Sequence, residues 1–190
     1  FKSWESLLGI PVKLPPQLEE LSPNKMTELA EQCGVPTKAL KDALKGDDAD
    51  AIRNLLYRYA ECIDAADFDG VAALFEHGAV AAPGMKEPAR GVAAVAHLYR
   101  SSSRVHEDGT LRTHHLVLNP IVEIDAAAGT ATSRSRYVAL QATPKLPLQP
   151  IIAGRYRDRF ERAGGGWRFT FREIQIDLVG NLSEHLRFDL

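Results

Sequence analysis

The spacing of apolar residues changes period once along the chain. Between residues 51 and 63, Ile52, Leu55, Leu56, Tyr59 and Ile63 recur at helical spacing and form one apolar stripe. Asp48 or Asp50 is placed to cap this helix. The run Asp64-Ala-Ala-Asp67 breaks it, and Phe68, Val71, Leu74 and Phe75 predict a short second helix. A third is predicted over 92–101, introduced by Gly91. After Thr113 the period becomes two, which predicts strands over about 113–124, 130–142, 150–162 and 167–178. Residues 125–129 and 163–166 read as hairpin connections. Trp167, Phe169 and Phe171 share one face of the last strand, and Ile174, Ile176 and Leu178 the other, so a bulge or sharp bend is expected near Arg172. Helices followed by an antiparallel or mixed β-sheet predict an α+β fold. A curved sheet closed by helices makes a cone with an apolar interior, suited to a small molecule.

The first fifty residues follow a different pattern. Pro11, Pro15, Pro16 and Pro23 keep regular structure short, and Trp4, Leu7, Leu8 and Ile10 form an apolar cluster. Met26, Leu29 and Ala30 suggest a helix stopped by Gly34, and Thr37 is placed to cap another that carries Leu40 and Leu44 and ends at Gly46. Basic residues divide at the same place. Six of eight lysines precede residue 46, whereas all fifteen arginines stand at Arg53 or later. These features predict a helical N-terminal extension over 1–47 and a main domain over 48–190.

Composition removes several function classes. A chain of 190 residues with 45% hydrophobic residues buries a core, and no apolar run reaches the roughly 18 residues of a membrane span. Cys33 and Cys62 are too few for a disulfide scaffold or a cysteine metal site. A net charge of -2 argues against general nucleic-acid binding. The stretch LAEQCGVPTKALKDAL is similar to a helix-turn-helix, but residues 1–52 hold no arginine and nine acidic residues. No membrane or nucleic-acid partner is therefore expected, and the chain reads as cytoplasmic.

Candidate chemistry is sparse. The sequence has no phosphate-binding glycine loop and no nucleophile elbow. His114 and His115 are adjacent on a strand and point to opposite faces, so they make no metal pair, and no metal site is expected. What remains is Asp64, where the long helix ends, and His115, which opens the first long strand and shares a face with Val117, Asn119 and Ile121. A carboxylate bonded to one imidazole nitrogen fixes the tautomer and leaves the other nitrogen as a base. Spacing alone favours Asp64 as a turn former and His115 as a hydrogen-bonded pocket residue. Ile152, Gly154, Tyr156 and Phe160 alternate on one face, so Tyr156 is a candidate for stabilising developing negative charge. Tyr57 and Tyr59 cannot both face inward, and Tyr59 fits the stripe. Arg134, Arg136, Arg155, Arg157, Arg159, Arg168 and Arg172 read as a cover for the outer sheet face, paired with Asp158, Glu161 and Glu173. The other reading of this arginine set is a grip on an anionic carrier.

The order AIRNLLYRYAECIDAADFDGVAALF, LRTHHLVLNPIVEID, AGRYRDRFERAGGGWRF resembles the nuclear transport factor 2-like superfamily, in its SnoaL-like and scytalone dehydratase-like branch, over roughly residues 48–182. Enzymes of that branch use an aspartate–histidine dyad as base, and its members fall on Asp64 and His115. Other positions depart from the pattern. A scytalone-type dehydratase has tyrosine before the aspartate, where this chain has Ile63. Its second tyrosine would fall in the 79–82 stretch, its further histidine near Ala139 and its asparagine near Tyr156. Scytalone is therefore not the expected substrate.

The resemblance implies a cofactor-free lyase or isomerase, of dehydratase type, for a hydrophobic substrate, polycyclic ones included. Asp64, His115 and Tyr156 are the expected catalytic residues, and Tyr59, Ile63, Asn119 and Phe171 the expected substrate contacts. An aldol-type polyketide cyclase and a non-enzymatic ligand-binding or assembly module are the rival readings. A homodimer or homotrimer is expected by the same resemblance. Residues 182–190 read either as a tail across a neighbour or as a disordered end.

Overall fold

A computed structural model describes residues 37–188, with side chains from residue 48 onward. The expected helix near Met26 and the cluster around Trp4 lie outside the described residues. Contacts divide the chain into two compact units, residues 1–50 and 51–190. The second unit carries the sheet and is described below.

Helix α1 is Thr37–Asp64, α2 is Phe68–Leu74 and α3 is Gly91–Ser102. The expected stop at Gly46 and restart at Asp48 or Asp50 do not occur, because α1 runs through all three positions. A glycine inside a helix costs only about 1 kcal/mol, too little by itself to end one. The break after Asp64 is as the sequence predicts. Ala66 adopts a positive φ of 55°, and Asp67 caps α2 by accepting a hydrogen bond from the Gly70 amide at 2.8 Å.

Six strands form one sheet in the order β2-β1-β6-β5-β4-β3. They are β1 Ala79–Ala81, β2 Ala89–Arg90, β3 Thr113–Asp125, β4 Thr130–Thr143, β5 Leu146–Ala163 and β6 Gly166–Val179. The four long strands match the predicted meander within a few residues. The two short ones escaped the sequence pattern, since two or three residues are too few to show a period. Strand β1 joins parallel to β6, and the other neighbouring pairs are antiparallel. The helical stripe Ile52, Leu56, Tyr59 and Ile63 packs with Val95 and Tyr99 of α3 against Tyr156, Phe160 and Phe169 of the sheet.

Register shifts curve the sheet and decide which side chains face inward. In β6 the pairing skips Thr170, so Trp167 and Phe169 face the core, Phe171 turns outward, and Arg172 turns in. In β3 the skip falls at Asn119-Pro120, where Asn119 has φ 51°. Proline has no amide hydrogen to continue the ladder, so a bulge there has a local cause. Beyond it Val122 and Ile124 pack against the core, and Ile121 is 49% exposed. The predicted shared face of His115 and Ile121 ends at this bulge.

Arg172 is fully buried, contrary to the expected place on the outer face, although its expected partner Asp158 is correct. Two hydrogen bonds of 2.7 and 3.0 Å join the guanidinium to the carboxylate. The cation lies over the rings of Tyr59 at 4.0 Å and Tyr156 at 4.2 Å. Burial disfavours the arginine charge, but the adjacent Asp158 carboxylate outweighs it and holds the guanidinium protonated.

The C-terminal residues fold back onto their own chain. The Arg104 amide donates to His185 O at 2.8 Å, the Arg187 amide to Ser102 O at 3.0 Å, and the buried Gln141 side chain to Glu184 O at 3.0 Å. Residues 182–188 therefore form a strap across the end of α3 and the start of β3. Among the described residues no helix is long and apolar enough to cross a membrane.

Two substitutions test this packing by urea unfolding. Asp158→Ala leaves the buried guanidinium uncompensated and should cost about 3–5 kcal/mol, because a broken buried pair is far worse than none. Gly154→Ala should cost about 1–3 kcal/mol through overpacking. A Cβ there meets the Gln175 carbonyl oxygen and lies 2.8 Å from the Tyr137 ring. Unchanged unfolding midpoints would contradict either account.

Candidate active site

Asp64 is the last residue of α1, and β3 begins at Thr113, so the two ends meet side by side. The Asp64 carboxylate takes three hydrogen bonds there. The Thr113 hydroxyl donates to Oδ1 at 2.7 Å, the His115 amide to Oδ2 at 2.8 Å, and His115 Nδ1 lies 2.6 Å from Oδ1. The backbone adds a fourth link, from the Leu111 amide to Asp64 O at 3.3 Å. Burial of Asp64 works against its charge, but the bond and charge of the His115 ring, with the Thr113 hydroxyl and the His115 amide, outweigh it. The carboxyl is held below its ordinary range.

An ionised Asp64 can only accept, so the shared proton sits on His115 Nδ1. Nε2 is then the basic nitrogen, and the ring borders an interior cavity of about 230 Å³. Tyr59, Ile63, Tyr99, Tyr137 and Tyr156 also line it, with apolar walls from Leu98, Ile152, Ile174 and Ile176. An apolar cavity of about 150 Å³ holds benzene, so this one suits one or two rings and not a tetracyclic skeleton. A larger depression, about 330 Å³, lies on the arginine-rich outer face, where Arg134, Arg157 and Arg159 surround Phe171. It contains neither member of the dyad; of the two, the inner cavity joins apolar volume to a base.

The predicted residues therefore separate. Asp64, His115, Tyr59, Ile63 and Tyr156 meet at or beside one cavity, whereas His114 and Tyr57 face solvent. Asn119 does not contact it, because the β3 bulge leaves its side chain exposed on a left-handed residue. Phe171 does not either, because the skip at Thr170 turns it to the outer face, where the Arg159 guanidinium lies 5.5 Å from its ring.

Several site residues were not foreseen. Tyr99 joins its hydroxyl to that of the expected Tyr59 at 2.8 Å inside the cavity wall. Tyr137 stacks on Tyr156 at 4.3 Å with 9° between the planes, over the space that Gly154 leaves open. Burial raises the phenols of Tyr59, Tyr99, Tyr137 and Tyr156 above their usual range, so all four remain protonated. His185, from the strap, also lines the cavity, its ring 6.1 Å from that of His115. Thr113 was legible, since Thr113 and His115 are two apart on one strand and share a face. Tyr137 was masked by the small polar residues Ser133 and Ser135 on its inward face. Among the described residues no group of three or more His, Cys, Asp or Glu is placed to hold a metal ion.

Comparison with known proteins agrees with this architecture. The sequence pattern of the SnoaL-like domain matches residues 46–173. A nuclear transport factor 2-like protein with a cystatin-like fold from Novosphingobium aromaticivorans is 25% identical with a TM-score of 0.60, covering 73% of this chain and 88% of that one. A candidate scytalone dehydratase from the same organism is 25% identical with a TM-score of 0.53, covering 67% and 83%. ActVI-ORFA from Streptomyces coelicolor shares the fold at 18% identity and a TM-score of 0.57, covering 67% and 95%. A search of curated proteins gives no match. With the curved six-stranded sheet and the matched span in agreement, the chain belongs to the SnoaL-like family and has the fold of the nuclear transport factor 2-like superfamily.

Proposed function

We propose that the chain is a dehydratase-type lyase or isomerase whose base is His115, oriented by Asp64. The observation that carries this reading is the 2.6 Å bond between Asp64 Oδ1 and His115 Nδ1 at the edge of an apolar cavity. A ligand-binding module has no need to hold a half-buried carboxylate against the far side of a cavity-facing imidazole. In the reaction, Nε2 removes a proton from carbon beside a carbonyl or a leaving group. The electron pair of the C–H bond then forms an enolate or expels the leaving group as a new double bond forms. The phenols supply the electrophilic side. One hydroxyl of the Tyr59–Tyr99 pair donates to the other, which keeps its own proton for an oxygen in the cavity. Tyr156, fixed by its stack on Tyr137, is a further donor.

Cavity volume narrows the substrate to one or two rings with an oxygen function. That favours dehydration or isomerisation over cyclisation of a long polyketide chain, which needs more space.

Deuterium exchange at the α-carbon of 2-tetralone, a two-ring ketone, tests the base without knowledge of the natural substrate. The wild-type chain should accelerate exchange, and His115→Ala should lower it by at least about a hundredfold. Exchange retained in that variant would contradict the mechanism. Asp64→Asn should lower the rate at least about tenfold, by replacing one accepting oxygen with an amide NH2 that donates: with its oxygen on the His115 amide, it presents that donor to Nδ1 and favours the other tautomer. In a pH series the wild-type rate should fall on the acid side with a one-proton limb. Asp64 is held below the ordinary carboxylate range, so it stays ionised in weak acid and adds no proton of its own to that limb. A two-proton limb would show that the pair titrates differently.

A further inference from the structure

The strap brings a second histidine into the site. His185 is only 7% exposed and lines the same cavity as His115. Its ring centroid stands 6.1 Å from that of His115, with 51° between the planes. Its Nδ1 is buried and has no hydrogen-bond partner in the protein. The backbone on both sides is fixed independently of the ring, through the Arg104 amide on His185 O, Gln141 on Glu184 O and the Arg187 amide on Ser102 O. The imidazole is thus held in place by its neighbours along the chain, while its own Nδ1 is left over. An unmet buried polar atom is unfavourable, and natural structures leave few of them without a role.

We propose that His185 is a substrate-binding residue, hydrogen-bonding a carbonyl or hydroxyl oxygen of the bound molecule beside His115. This rests on the reading of the cavity as the site of proton abstraction, and it assigns the polar anchor that Asn119 does not provide. A neutral imidazole offers one donor and one acceptor, and therefore suits either oxygen type. Three groups act on its charge: His115 on β3, Asp64 at the end of α1 and His106 in the connection before β3. Burial first, then the two histidines, lower its pKa to about 4 against the opposing effect of Asp64, so the ring is neutral near pH 7. A neutral ring does not repel a protonated His115 during turnover, whereas a second imidazolium at this distance would.

The test compares 2-tetralone with tetralin, the same two rings without the oxygen, by calorimetric titration of the full chain. One neutral hydrogen bond from His185 should contribute about three- to tenfold to the preference for the ketone over the hydrocarbon. In His185→Leu that preference should fall by this factor, to what the phenols alone supply, while tetralin affinity stays within about twofold, which also shows that the cavity still forms. His185→Gln, which keeps a donor, should restore part of the preference. In the wild-type chain with nitrogen-15-labelled histidine, the His185 ring signals should move with 2-tetralone and stay in place with tetralin. An unchanged ratio in His185→Leu, or a wild-type ratio near one, overturns the proposal. Carbon exchange reports His115 and the ketone preference reports His185, so either assignment can fail while the other stands.

Discussion

The Asp64 carboxylate joins the helical and sheet parts of the domain, and the site depends on that joint. Its three hydrogen bonds all reach the first three residues of β3, so they fix where that strand starts relative to the end of α1. Hydrogen bonds to a charged group contribute about 1.5–3 kcal/mol each, set against the desolvation of a half-buried carboxylate. The same bonds that place the strand also choose the tautomer of His115. Structure and chemistry therefore draw on one group, and the charge that holds the strand is the charge that prepares the base.

A second buried charge supports the opposite side of the core. Arg172 and Asp158 neutralise one another beneath the rings of Tyr59 and Tyr156, both of which line the cavity. The cation holds those rings without entering the cavity wall. The aromatic stack of Tyr137 on Tyr156, made possible by the missing Cβ at Gly154, extends that wall toward β4. The cavity is thus shaped by polar restraints behind an apolar surface, which suits a site that must orient a small hydrophobic molecule.

The long elements were legible because each is long enough to display its period, and Asp64 and His115 were legible because each marks an element boundary. Failures came where the period is interrupted. Phe171 and Arg172 were placed on the wrong faces because the bulge expected near Arg172 falls two residues earlier, at Thr170, and reverses both side chains. Asn119 was misplaced for the same reason, although the following Pro120 is a local signal of a bulge. His185 lies in an irregular strap with no periodicity to read, held by backbone bonds to distant residues. Gly46 shows the reverse error, a local stop signal overridden inside a continuous helix.

The central claim is that Asp64 holds His115 as the Nδ1–H tautomer and leaves Nε2 as the base. Nitrogen-15 spectra of the histidine rings, recorded at mildly alkaline pH, read this directly. The account predicts a proton on Nδ1 of His115 and an unprotonated Nε2, with that pattern lost in Asp64→Asn. A wild-type His115 carrying its proton on Nε2 would contradict it.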